Sequence, residues 1–123
     1  MQIFSQEKPI YLQIYDRICT EILSGRLQEH SRIPSVRDYG ALLQVNANTA
    51  VKAYEQLSRD NIIFQKRGMG YFVAEGARQR ITEQRRETLM HDTLTKLFHD
   101  MRLLDVSIDD IVTEYLKFQE QQE

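Results

Sequence analysis

Only two residues, Gln44 and Val45, separate two stretches of helical patterning, and that short link constrains the fold more than any other feature. Upstream, PSVRDYGALL puts Val36, Tyr39, Leu42 and Leu43 on one apolar side. Pro34 and Ser35 open it, with Ser35 as N-cap candidate and Asp38 three residues on, in capping-box spacing. Downstream, VNANTAVKAYEQL repeats Ala50, Tyr54 and Leu57 at the spacing of one buried helical face. Two short helices joined so tightly must cross in contact, which is the outline of a helix-turn-helix. The second helix opens unusually: Asn46, Ala47, Asn48 and Thr49 are short, and three of them are polar and poor helix formers. Asn46 serves as a cap, but capping accounts for only one of those residues.

The flanking segments extend the outline. PIYLQIYDRICTEILSG sets Ile10, Ile14, Ile18 and Ile22 at i, i+4 steps, with Tyr11, Tyr15 and Leu23 beside them. This predicts one amphipathic helix, with Pro9 in its first turn and Gly25 as its stop. Residues 1–8 read as an arm. GRLQEHSRI is a short connection with a weak strand signal at Leu27 and Ile33. After Asp60-Asn61 come IIFQ, the two-glycine turn KRGMG and YFVA, a hairpin whose tip carries Lys66 and Arg67. Helix, helix-turn-helix and hairpin in that order make a winged helix-turn-helix over residues 1–75.

From Gly76 the composition changes. A long helical stretch of about 28 residues follows, with Ile81, Thr88, Leu89, Leu94, Leu97, Phe98, Met101 and Leu104 as its apolar side. Leu104-Asp105-Val106 breaks it. Ser107-x-x-Asp110 then caps a last helix of about 14 residues carrying Ile108, Ile111, Val112, Tyr115, Leu116 and Phe118, with residues 120–123 expected to fray. Two such helices cannot enclose a sizeable core alone. They must pack on the N-terminal domain, on each other or on a second copy. The wide apolar stripe favours the second copy, so residues 76–123 are expected to form a two-helix dimerisation segment, with Leu94, Leu97, Phe98, Met101, Ile111 and Tyr115 buried in it.

Charge and cysteine usage narrow the class. The 123-residue chain has a formal net charge of -2, so any DNA binding must rest on local charge. Residues 1–75 carry nine basic against eight acidic side chains, and residues 76–123 seven against ten. The single cysteine, Cys19, cannot form an internal disulfide and reads as an inert thiol in a helix. Without an apolar leader or a run of 18 apolar residues, the chain reads as cytoplasmic and free of membrane spans.

A recognition helix explains the polar first turn. The N-terminal residues of such a helix meet base edges in the major groove. Asn pairs with adenine, and Thr offers a hydroxyl and a methyl suited to thymine. Ala47 can touch a thymine methyl and keeps the backbone close. Asn46, Asn48 and Thr49 are the candidate readers on the helix over residues 46–60, and Lys52 on the same outward face is a candidate phosphate anchor. Arg37, Lys66 and Arg67 are candidate phosphate or minor-groove contacts, and Gly68 lets the tip of the 65–72 wing approach the backbone.

These segments together resemble the DNA-binding domain of the GntR family of bacterial transcription regulators, from PIYLQIYDRICTEILSGRL through RIPSVRDYGALLQVNANTAVKAYEQLSRDNII to KRGMGYFV. The short helical tail and the VNANT-to-KAYEQL form look most like the YtrA subfamily. The resemblance implies a homodimeric repressor on a palindromic double-stranded operator. It assigns DNA contact to Arg37 in the PS-x-R segment, recognition-helix positions to Asn46, Asn48, Thr49 and Lys52, and the wing glycine to Gly68. Gln44 and His30 stand where the family usually has glycine, and Ala47 where it often has Pro or Arg.

Rival classes have little to stand on. No nucleophile–base order, phosphate loop or cysteine pair suggests an enzyme, and no cofactor is implied. His91-Asp92 and His99-Asp100 fall on roughly one helix face, but two turns is too far for one ion, so they read as solvated polar residues. The alternative to DNA binding is a winged-helix protein–protein module, which would present exposed apolar residues where Arg37, Asn48, Thr49, Lys52 and Arg67 stand. The expected fold is mainly α with a small β-hairpin: a winged helix-turn-helix domain followed by a C-terminal helical dimerisation segment. Nothing in the residues defines a small-molecule effector pocket.

Overall fold

The computed structural model describes residues 8–122; the expected arm at residues 1–8 lies almost wholly outside them. The elements are α1 (Ile10–Leu23), α2 (Val36–Leu43), α3 (Ala47–Arg59), β1 (Ile63–Lys66), β2 (Gly70–Val73), α4 (Ala77–Glu87), a π-helical segment (Thr88–Thr93), α5 (Leu94–Leu104) and α6 (Ile108–Gln122). The chain divides into two compact units, Met1–Gln84 and Arg85–Glu123.

The first unit closes around its own core. Ile14, Ile18 and Ile22 of α1 meet Tyr54 and Leu57 of α3, with Tyr39 and Leu43 of α2, Ile62, Ile63 and Val73 around them. Ala77 and Ile81 of α4 complete this core. Two buried tyrosines also lock its joints. Tyr54 Oη donates to the Pro34 carbonyl at 2.6 Å, tying α3 to the entry of α2, and Tyr15 Oη donates to Asp60 Oδ2 at 2.6 Å, tying α1 to the end of α3.

The caps explain where the helices begin and end. Pro9 is the residue before α1, not inside its first turn, and its carbonyl accepts from Leu12 and Gln13 N–H. Ser35 Oγ accepts from Asp38 N–H at 3.1 Å. Gln44 ends α2 in the left-handed region (φ 57°, ψ 44°), and Val45 N–H returns to the Gly40 carbonyl at 2.9 Å. Gly40 is buried where α2 meets α3: a Cβ there would stand 3.8 Å from that of Ala50. Leu42 corrects the apolar side expected for α2. It is 71 % exposed, about 100° of helical rotation away from the buried Leu43.

β1 and β2 pair antiparallel, with Ile63 opposite Val73, Phe64 opposite Phe72, Gln65 opposite Tyr71 and Lys66 opposite Gly70. The weak strand signal before α2 has a counterpart in an isolated bridge between Arg32 and Phe72. His30, in that connection, also takes a positive φ of 69°.

The expected long helical stretch runs without a break from Ala77 to Leu104, with a π-helical segment in its middle. The π-helical segment widens the winding over Thr88–Thr93. Asp105 ends α5 in the left-handed region. Ser107 and Asp110 then form a reciprocal capping box, each side chain accepting from the other's N–H at 3.0 and 3.1 Å. α6 stays helical to Gln122, further than the fraying expected from residue 120. No helix among the described residues is long and apolar enough to cross a membrane.

Candidate nucleic-acid interface

The first turn of α3 is exposed, as a reading edge requires. Asn46 Oδ1 accepts from Asn48 N–H at 2.8 Å, so Asn46 is the cap and one side of its amide is committed. The Asn48 side chain remains free at the surface; Thr49 is half-buried beside it. The opposite face of the helix holds Ala50, Ala53, Tyr54 and Leu57 in the core, which fixes the rotation of the polar edge outward.

The cations fall into two kinds. Arg37, in the first turn of α2, and Arg67, at the wing tip, are exposed and form no ion pair among the described residues. Lys52 and Lys66 rest on aromatic rings. Lys52 Nζ lies 5.0 Å over the ring of Tyr11, so its charge is held beside the start of α1. Lys66 Nζ lies 5.1 Å over Phe72 and 5.9 Å over Phe64, whose rings stack at 5.8 Å. The turn between the strands closes with Met69 N–H to the Lys66 carbonyl at 2.9 Å. Gly68 takes φ +76° with nothing within 4 Å of its missing side chain, so the tip is narrow and open.

Two residues that sequence reasoning did not single out belong here. Tyr11 sets the position of Lys52, through a pairing too distant in sequence to show as periodicity. Arg32 lies along the wing, with Nε 3.2 Å from where a Gly70 Cβ would stand. The strand signal at Leu27 and Ile33 was its only trace. The histidines 91 and 99 are exposed, and no group of three or more His, Cys, Asp or Glu among the described residues is placed to hold a metal ion. Cys19 is buried in α1.

A crossed helix pair with a polar leading edge, followed by a glycine-tipped hairpin bearing cations, defines a winged helix-turn-helix DNA-binding protein. The family model for bacterial regulatory proteins, gntR family, matches residues 10–73, and the chain belongs to that family. It is a transcription regulator that acts by binding DNA, not an enzyme. It is 31 % identical over 103 residues to the HTH-type transcriptional repressor YtrA of Bacillus subtilis, covering 84 % of this chain and 78 % of that one. Among solved structures, a GntR-family transcriptional regulator from Bacteroides thetaiotaomicron superposes with a TM-score of 0.76 at 42 % identity, covering 93 % of this chain and 99 % of its own. The DNA-binding domain of AraR in complex with operator ORX1 superposes with a TM-score of 0.54 at 25 % identity, over 60 % of this chain and 90 % of that chain.

Proposed function

We propose that the protein is a homodimeric, cytoplasmic repressor that binds a palindromic operator, each protomer laying α3 in a major groove and its wing against the flanking backbone. The observation that carries this reading is the uncommitted edge of Asn48, Arg37 and Arg67, all exposed, with Thr49 half-buried beside them, on two helices and a hairpin otherwise fixed by the core. Asn48 and Thr49 read bases, and Asn46 combines capping with contact through its free amide hydrogens. Arg37, Lys52, Lys66 and Arg67 anchor phosphates, and Gly68 lets the tip come close. The repressing sign is taken from the related YtrA, and operator binding is supported by the likeness to the AraR complex.

Dimerisation by residues 76–123 rests on the apolar surface of α5 and α6. Phe98 and Tyr115 are 53 % and 57 % exposed, with Leu94, Leu97, Met101 and Ile111 half-buried among them. A second copy covering this surface would also set the spacing of the two reading helices.

Selection of bound sequences from random duplexes, followed by a salt series on the winner, tests the reading. A palindromic motif with steep salt dependence is expected. Asn48→Ala and Thr49→Ala should each weaken operator binding by about 1–3 kcal/mol and binding to random duplex little. Equal losses on both duplexes would remove the base-reading role. A well-folded protein that enriches no motif would favour the protein–protein module instead.

A further inference from the structure

We infer that Arg32 is a further contact to the DNA backbone, extending the wing's footprint from its tip back along the sheet. The inference rests on the operator-binding reading above and adds a residue to it. Arg32 stands opposite Phe72, flanked by Ile33 N–H to the Tyr71 carbonyl at 3.0 Å and Val73 N–H to the Ser31 carbonyl at 2.9 Å. That is a non-hydrogen-bonded antiparallel pair, in which the two side chains stand close on one face. Phe72 in turn pairs with Phe64, so Arg32, Phe72 and Phe64 form one cross-strand row. The neighbouring row towards the tip is Gly70 and Lys66. Ile33, Ile63 and Val73 point the other way, into the core.

Arg32 does not stay in its own row. Its guanidinium lies over Gly70, with Nε, Nη2 and Cζ at 3.2, 3.4 and 3.7 Å from the place of a Cβ. The side chain therefore runs one row towards the wing tip, along a track that a side chain at position 70 would crowd. Gly70 itself has φ +103°. The result is an exposed guanidinium with no ion pair among the described residues, on the same face as Lys66 and pointed at the end that carries Arg67. A planar fork of unspent donors fits the oxygens of a phosphate. A buried structural role would have given it a carboxylate or carbonyl partner.

The test uses the full chain, the selected operator duplex and a random duplex of equal length. Arg32→Gln should leave the melting temperature and the preferred sequence unchanged. It should reduce the slope of log K against log salt by about 1 per protomer, so by about 2 for a dimer, on both duplexes. Arg32→Lys, which keeps the charge, should keep the slope. An unchanged slope in Arg32→Gln, or a slope in Arg32→Lys as shallow as in the glutamine variant, would overturn the assignment while leaving operator binding intact. Wild-type protein that binds neither duplex would instead overturn the reading on which it rests.

Discussion

The two compact units put similar side chains to opposite use. In Met1–Gln84, Ile14, Tyr54, Leu57, Ile63 and Val73 are all 1 % exposed or less. In Arg85–Glu123 no described side chain is buried, and Leu103 reaches 82 % exposure. The first unit supplies both sides of every apolar contact it needs. The second supplies one side, so its helices have local reasons to form, in caps and periodicity, but no enclosed core. Such a segment is completed by whatever covers it, and the proposal is a second copy. Phe98→Asp combined with Tyr115→Asp should break the pair. Sedimentation should then show a monomer, the first unit should melt as before, and operator affinity should fall by about 10²–10⁴-fold as bivalent binding is lost. A dimer that survives both charges would mean that the apolar surface of α5 and α6 is not the dimer contact.

Leucine truncation should act very differently in the two units. Leu57→Ala removes a fully buried side chain and should cost about 2–5 kcal/mol in denaturant unfolding. Leu103→Ala, at the exposed end of α5, should change stability by no more than about 0.5 kcal/mol. Comparable losses would mean that the second unit has an enclosed core after all.

Alkali should also act through the first unit. Burial pushes the Tyr39 hydroxyl up from 10 to about 12. Burial likewise raises Tyr15 and Tyr54, with the Asp60 hydrogen bond adding to the rise at Tyr15. Each group is neutral when folded and ionises more readily when unfolded. Its contribution is therefore complete below the unfolded value of 10 and is lost as pH rises through the folded one. The melting temperature should be insensitive to these tyrosines at neutral pH and fall steadily above about pH 10. Indifference to that range would mean the tyrosines ionise in place.

Local chemistry made much of this legible. The helix-turn-helix showed in the Tyr54 and Leu57 periodicity, the wing in its two glycines, and the last helix in the Ser107–Asp110 spacing, because each signal lies within a few residues. What was hidden depends on distance or winding. Lys52 sits on Tyr11 through the crossing of α1 and α3. Arg32 reaches the wing through a strand pairing 40 residues away in sequence. The shift at Gly76 is a change of composition, whereas Ala77 and Ile81 still belong to the first core. The π-helical segment has no composition of its own, and eight-residue α2 was too short for periodicity to place Leu42.

The smallest expected effect compares two helix ends, one from each unit. Gln44 closes α2 at φ 57° and Asp105 closes α5 at φ 55°. A residue with a Cβ adopts this region at a cost of about 1–2 kcal/mol, and glycine without it. Glycine gives back part of that gain by loosening the unfolded chain, about 0.5–1 kcal/mol. Gln44→Gly should thus stabilise the first unit by roughly 0.5 kcal/mol, a rise of about 2–4 °C in melting temperature. The turn bonds are main-chain, from Gln44 N–H to the Ala41 carbonyl and from Val45 N–H to the Gly40 carbonyl, so they survive the change. Asp tolerates the left-handed region better than Gln, through local hydrogen bonds of its short side chain. Asp105→Gly should therefore gain nothing measurable. If both variants stabilised equally, backbone strain would be set by the left-handed turn alone, independent of the residue and the unit that holds it.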